Sequence, residues 1–230
     1  MLPEMIDVPS KDSGTFKGYC AKPTSGTGPA IVMIPEMFGI TAWIKQTADN
    51  FARHGFIVIV PDMFSRVEAG FVADSMLDQE SKKYFSYSEV MNHDTAIDDI
   101  SSTIAAAKAM LGCNEKAGVV GFSLGGTFTY LAAARLTLDI AVAYYGAQIH
   151  DYFNEGKSVT CPILLHIGEH DDTHTVEDRK KTHAALISKK TFRSICIRLA
   201  THSPIPIGHL ITNPETRRQL MSVPLNCSIN

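Results

Sequence analysis

One short stretch carries residue types and a spacing suited to nucleophilic catalysis. Gly121-Phe122-Ser123-Leu124-Gly125-Gly126 contains the pattern G-x-S-x-G. A strand-like run, Gly118 to Gly121, leads into it, and a helix-like run, Thr127 to Ala134, follows it. In that setting the pattern forces a sharp strand-to-helix turn that holds the serine in a strained backbone conformation. Glycine is needed at 121 and 125 because larger side chains would collide across the turn. A helix that starts directly behind Ser123 aims its first amides and its dipole at developing negative charge. The Leu124 amide then forms one half of an oxyanion hole. The bland alternative is a chance glycine-rich turn, and the strand–turn–helix context argues against it. A dinucleotide loop fits worse, because G-x-G-x-x-G is absent and no acidic partner for a ribose is placed.

A serine nucleophile needs a base, and the base needs a carboxylate to orient it. Where a serine sits on this kind of strand–turn–helix elbow, the chain order is serine, acid, histidine. The strand-like run Pro162 to Ile167 ends in Gly168-Glu169-His170-Asp171-Asp172. Asp171 is the expected acid, since G-x-x-D puts its carboxylate just past the strand; Asp172 and Glu169 are the alternatives. Three histidines lie downstream. His183 falls inside a helical segment, Val176 to Ile187, and belongs to its surface. His202 follows the mostly apolar run Ile195 to Leu199, where a loop base belongs. His209, in Ile207-Gly208-His209-Leu210, is the second choice. Imidazole suits the role because it titrates near neutrality. His166, His170 and His174 are four apart, a spacing that aligns metal ligands only on a helix. This segment passes from strand to loop, so no metal is expected.

These residues must be carried by a scaffold. Ala30 to Ile34, Phe56 to Val60, Ala117 to Phe122, Ile140 to Tyr145, Pro162 to Ile167 and Ser194 to Leu199 are short apolar runs. Runs that are apolar on both faces suit a mostly parallel sheet with helices on both faces. Helical segments alternate with them: Ala42 to His54, Thr95 to Leu111 with Asp94 as its cap, Gly125 to Ala134, and Val176 to Ile187. The pattern predicts a doubly wound α/β fold, with one domain over residues 1–203. From Thr201 to Asn230 there are four prolines and no sustained apolar period, so 204–230 reads as an irregular tail. The loss of periodicity near residue 192 points to an altered reading frame or a splice variant, which resequencing the transcript tests.

The formal net charge is −3 and basic residues form no long run, which argues against nucleic acid as a partner. No apolar run reaches the roughly 20 residues of a membrane helix, and the N-terminus lacks the look of a secretory signal. Cys20, Cys113, Cys161, Cys196 and Cys227 are scattered and odd in number. That predicts free thiols in a reducing, cytoplasmic setting.

Several motifs together resemble the dienelactone hydrolase (carboxymethylenebutenolidase) family of α/β-hydrolases. They are Ile34-Pro35-Glu36-Met37-Phe38-Gly39-Ile40, Gly55 to Phe64 with its Pro61-Asp62 turn, the Gly121 to Gly126 elbow, Tyr144-Tyr145-Gly146, and Gly168-x-x-Asp171. The resemblance spans roughly residues 5 to 203. It implies that Glu36 is the carboxylate that primes the nucleophile and that the Met37 amide is the second oxyanion donor. It also implies acyl transfer through a covalent enzyme ester, with no cofactor. Two departures stand out. The family's nucleophile is usually cysteine, whereas here it is Ser123, which needs His202 as a working base and shifts the expected chemistry toward a general esterase. The family's histidine is followed by an aromatic residue, whereas Ser203 and Pro204 follow His202. Phe38, Trp43 and Tyr145 are pocket candidates for a small, partly apolar acyl group. Lys83, with Lys82 and Tyr84 in the segment Asp78 to Val90, is a candidate anion contact. The expected partner is a small-molecule ester or lactone, bound by a monomer or small homo-oligomer. A catalytically inactive hydrolase-fold binding protein is the alternative.

Overall fold

The structure, a computed structural model, describes residues 3–12, 14–73, 78–170, 177–178, 180–181, 184 and 192–200. Asp171, Asp172, His174, His183, His202 and His209 lie outside the described residues, as does the segment 201–230. The chain divides into two compact units, one reaching Ala117 and the other starting at Gly118.

The first unit opens with a hairpin. Strands β1 (Glu4–Pro9) and β2 (Thr15–Ala21) pair antiparallel, with Glu4 opposite Cys20 and Pro9 opposite Thr15. β2 alternates between exposed and buried: Thr15 and Lys17 face out, Phe16 and Gly18 face in. A search for doubly apolar runs misses such a strand, because only one of its faces is buried. β3 (Gly28–Ile34) and β4 (Ile57–Pro61) are buried along their whole length and pair parallel, with Ala30 opposite Ile57. The strand order is β1–β2–β4–β3. Between β3 and β4 runs α1 (Ala42–Arg53), which packs on β4 with Ile44, Ala48 and Phe51 on its buried face. Those positions sit three and four apart, one stripe of a helix. The Thr41 hydroxyl caps it by accepting from the Ile44 amide.

Two helices follow, α2 (Asp78–Val90) and α3 (His93–Lys108). The cap of α3 differs from expectation. Asn92, not Asp94, caps the helix, its side-chain oxygen accepting from the amides of Asp94 (2.9 Å) and Thr95 (3.1 Å). The helix ends at Lys108, short of Leu111. Leu111 is 98% exposed, so the apolar stripe stops at Ala107.

The second unit is a parallel ladder. β5 begins in the first unit and runs Cys113–Phe122; β6 is Ile140–Tyr144, β7 Ile163–His170 and β8 Phe192–Ala200. Their order is β5–β6–β7–β8, all parallel. Strand β8 forms across the region where the apolar period weakens. α4 (Leu124–Arg135) packs on β6 and on a 3-10 helix, Ile149–Ser158. The Arg135 guanidinium grips the Glu155 carboxylate at 2.7 Å through two nitrogens, and Tyr130 donates to the Tyr152 carbonyl. Strand and helix alternate as expected, giving a doubly wound, mostly parallel α/β sheet. Among the described residues no helix is long and apolar enough to cross a membrane.

Candidate active site

Gly121 lies one residue before the end of β5, at a point where nothing larger fits. A Cβ there would run into the carbonyl oxygen of Gly125 and the Thr129 hydroxyl. That hydroxyl is itself committed, donating to the Gly125 carbonyl at 2.8 Å. With the strand and helix backbones so close, the intervening residue must turn abruptly. Ser123 does so at φ 53°, ψ −118°, a conformation that side chains rarely adopt. The next turn locks it: the Gly126 and Thr127 amides both donate to the Ser123 carbonyl. On the strand side, the Ser123 amide donates to the Tyr144 carbonyl at 3.0 Å.

Ser123 occupies the N-cap position of α4, yet its side chain makes no cap bond. From Ala117 to Ala133 every residue is buried except Ser123, which is partly exposed. A hydroxyl presented at the one opening in an otherwise buried segment suits a nucleophile better than a structural serine. Leu124 is the first residue of α4, so its amide has no carbonyl partner within the helix.

Tyr145 lies one residue past β6, also in the left-handed region at φ 38°. This is why β6 stops at Tyr144 instead of including Tyr145. Close backbone packing holds the turn: a Cβ on Gly126 would stand 2.6 Å from the Tyr144 carbonyl oxygen and 2.9 Å from the Gly146 Cα. The Tyr145 ring lies 6.4 Å from that of Phe122. The same unit thus brings together Ser123, Leu124 and Tyr145. β7 ends at His170, and Asp171, His202 and His209 lie outside the described residues.

The first unit holds the other candidates. Glu36, Met37 and Phe38 follow β3, all partly exposed. Gly39 takes φ 76° and bridges to Val72, while the Ala73 amide donates to the Phe38 carbonyl, so the loop is pinned to residues 71–73. The Phe38 ring meets Tyr84 of α2 edge-on at 5.0 Å. Trp43 is half-exposed in the first turn of α1. Lys83 is engaged: its ammonium sits 2.7 Å from Glu68 and over the rings of Phe71 and Tyr87. The Lys83 ammonium and the Tyr87 hydroxyl hold the Glu68 carboxyl below its usual range, and Glu68 in turn raises Lys83. Among the described residues no cluster of His, Cys, Asp or Glu is arranged to hold a metal ion.

The family model described as the dienelactone hydrolase family matches residues 16–203. Carboxymethylenebutenolidase 1 of Cupriavidus pinatubonensis is 29% identical over 179 residues, covering 78% of this chain and 76% of that protein. The carboxymethylenebutenolidase of Pseudomonas putida is 29% identical over 171 residues, covering 74% of this chain and 72% of its own. Among solved structures, a dienelactone hydrolase-like promiscuous phosphotriesterase from metagenomic libraries superposes with a TM-score of 0.71. It is 16% identical, with 96% of each chain covered, a likeness of fold.

Proposed function

Since the chain belongs to the dienelactone hydrolase family of α/β-hydrolases, and so is a hydrolase of the ester- and lactone-cleaving kind, we propose that it works through a covalent acyl-enzyme on Ser123. The observation that carries this reading is the Ser123 backbone at φ 53°, set by the close approach of Gly121 to the Gly125 carbonyl, with Ser123 partly exposed where its neighbours are buried.

In this reading His202 takes the proton as Ser123 Oγ attacks the carbonyl carbon, and Asp171 fixes the tautomer and stabilises the imidazolium. The Leu124 and Met37 amides donate to the oxyanion. Collapse of the tetrahedral intermediate breaks the ester bond, and the leaving alkoxide takes the proton from His202. Water, deprotonated by His202, then attacks the acyl-enzyme and releases the acid with Ser123 restored. Glu36 assists the nucleophile, and Phe38 and Tyr145 line the acyl pocket. Serine in place of cysteine makes the base essential, since a hydroxyl scarcely ionises near neutrality. The thiols of Cys20, Cys113 and Cys161 are free, which fits a reducing compartment.

Intact mass after treatment with a fluorophosphonate probe tests the proposal. One adduct on the unmutated protein, absent from Ser123→Ala, supports an activated serine. No adduct on folded protein overturns it and favours a binding role without hydrolysis.

A further inference from the structure

Beneath the elbow, three rings share one register across three neighbouring strands. Phe122, Tyr144 and His166 are successive partners in the parallel ladder β5–β6–β7. The Phe122 and Tyr144 rings are 5.1 Å apart and inclined by 13°, and the Tyr144 and His166 rings 4.2 Å apart and inclined by 9°. These separations bracket the roughly 4.8 Å between strands, so the rings follow the ladder itself. His166, the last of the three, is 2% exposed.

The backbones of the same residues hold both non-glycine positions with positive φ among the described residues of this unit. The Ser123 amide donates to the carbonyl of Tyr144, and the Tyr145 amide donates to the carbonyl of His166 at 2.8 Å. Ser123 and Tyr145 are non-glycine residues at φ 53° and 38°. Such conformations persist only where the surroundings over-determine them. Here the placement of β6 fixes Ser123, and the placement of β7 fixes Tyr145. Flat faces in contact admit little freedom in ring separation or tilt. The neighbouring buried positions of β7, Ile163, Leu164 and Leu165, are aliphatic, so burial alone does not call for an imidazole at 166.

We propose that His166 is a positioning residue for hydrolysis: its ring closes the Phe122–Tyr144–His166 stack, and the stack holds the turns at Ser123 and Tyr145 in their working conformation. The proposal rests on Ser123 being the nucleophile. Burial also pushes the imidazole down to about 4, so the ring stacks uncharged at neutral pH.

The test compares the unmutated protein with His166→Leu, His166→Phe and Ser123→Ala at equal folded concentration. Hydrolysis of p-nitrophenyl acetate and the rate of fluorophosphonate labelling are the two readouts. For His166→Leu we expect kcat to fall about tenfold with KM within about twofold, and labelling to slow in parallel, as misplaced reacting groups cost rate more than binding. His166→Phe, which restores a flat ring, should return kcat to within about threefold of the unmutated value. Full kcat in His166→Leu alongside an inactive Ser123→Ala overturns this proposal and leaves the nucleophile assignment standing. So does a His166→Phe as impaired as the leucine variant. Hydrolysis at the unmutated rate by Ser123→Ala overturns the nucleophile assignment and this proposal with it. If His166→Leu does not fold, Tyr144→Leu against Tyr144→Phe repeats the comparison from within β6, with the same split expected.

Discussion

At the elbow, Ser123 is held by backbone: glycines too close to admit a Cβ, amide bonds on both sides, and a helix buried along most of its length. On α2, Lys83 and Tyr87 are held by side chains, through one carboxylate, Glu68, at the surface. The first arrangement leaves no alternative geometry without breaking the turn. The second can re-form with water or another ion, because solvated pairs gain little over their hydrated parts. A change at the elbow should therefore act on activity all at once, and a change on α2 should act weakly.

The sharpest way to break the contrast is Gly121→Ala. The added methyl collides with the Gly125 carbonyl, so β5 and α4 must separate. Displacement of a nucleophile by about 1 Å costs roughly a hundredfold in rate, and we expect at least that loss in kcat for ester hydrolysis. An alanine variant within threefold of the unmutated rate would mean that the turn is not over-determined.

Beneath the elbow, His166 supplies a prediction in pH. Its imidazole titrates at about 4 in the folded protein instead of 6.5, because burial disfavours the cation. Below pH 6.5 the unfolded chain takes up a proton that the folded protein refuses until about pH 4. Stability is therefore intact above pH 6.5 and falls as the pH drops toward 4, by about 3 kcal/mol from this residue. Urea unfolding at pH 7 and pH 4.5 should show a loss in the unmutated protein that is markedly smaller in His166→Phe. Equal losses in both would remove His166 as the cause.

A third case sits between the two extremes. Arg66 is partly exposed, but it reaches Asp99, whose side chain is only 5% exposed, as well as Asp12 in the turn between β1 and β2. Arg66→Ala leaves the buried Asp99 carboxylate without that guanidinium, which should cost about 2 kcal/mol in urea unfolding. Activity per folded molecule should hold within about twofold, since Asp99 and Asp12 have no part in the proposed chemistry. A large loss of kcat without a loss of stability would contradict that division.

The same contrast explains what was legible in the sequence. The elbow could be read because its geometry is written in residue types: Gly121 and Gly126 stand where a Cβ would meet backbone. The parallel strands could be read from runs apolar on both faces. The β1–β2 hairpin was harder to see, because its signal is the alternation of Phe16 and Gly18 with Thr15 and Lys17. Asn92 as the α3 cap was obscured by Asp94 two residues later, an equally good cap by type. The left-handed turn at Tyr145 has no glycine at that position; room for it comes from Gly146, the next residue, and from Gly126 on α4. The Phe122–Tyr144–His166 stack depends on strand register, which no local pattern in β5, β6 or β7 contains. The roles proposed for Asp171 and His202 rest on chain order and loop placement alone, and those proposed for Glu36 and Met37 on family likeness alone.

The smallest effect is expected at Lys83, and it decides whether α2 contributes to binding at all. An ammonium 2.7 Å from Glu68 and stacked over Phe71 and Tyr87 already has its charge answered. To serve an anionic substrate it would have to give up Glu68 or share it, and either weakens its pull on the newcomer. Lys83→Gln should therefore change KM by no more than about twofold, alike for a neutral ester and for an ester carrying a carboxylate. The informative control is Glu68→Gln, which frees the ammonium. If Lys83 can reach substrate, that variant should lower KM for the carboxylate-bearing ester and leave the neutral one unchanged. A tenfold rise in KM for the carboxylate ester alone in Lys83→Gln would make α2 part of the binding site, and its surface pairs would then match the elbow in consequence despite their weak hold.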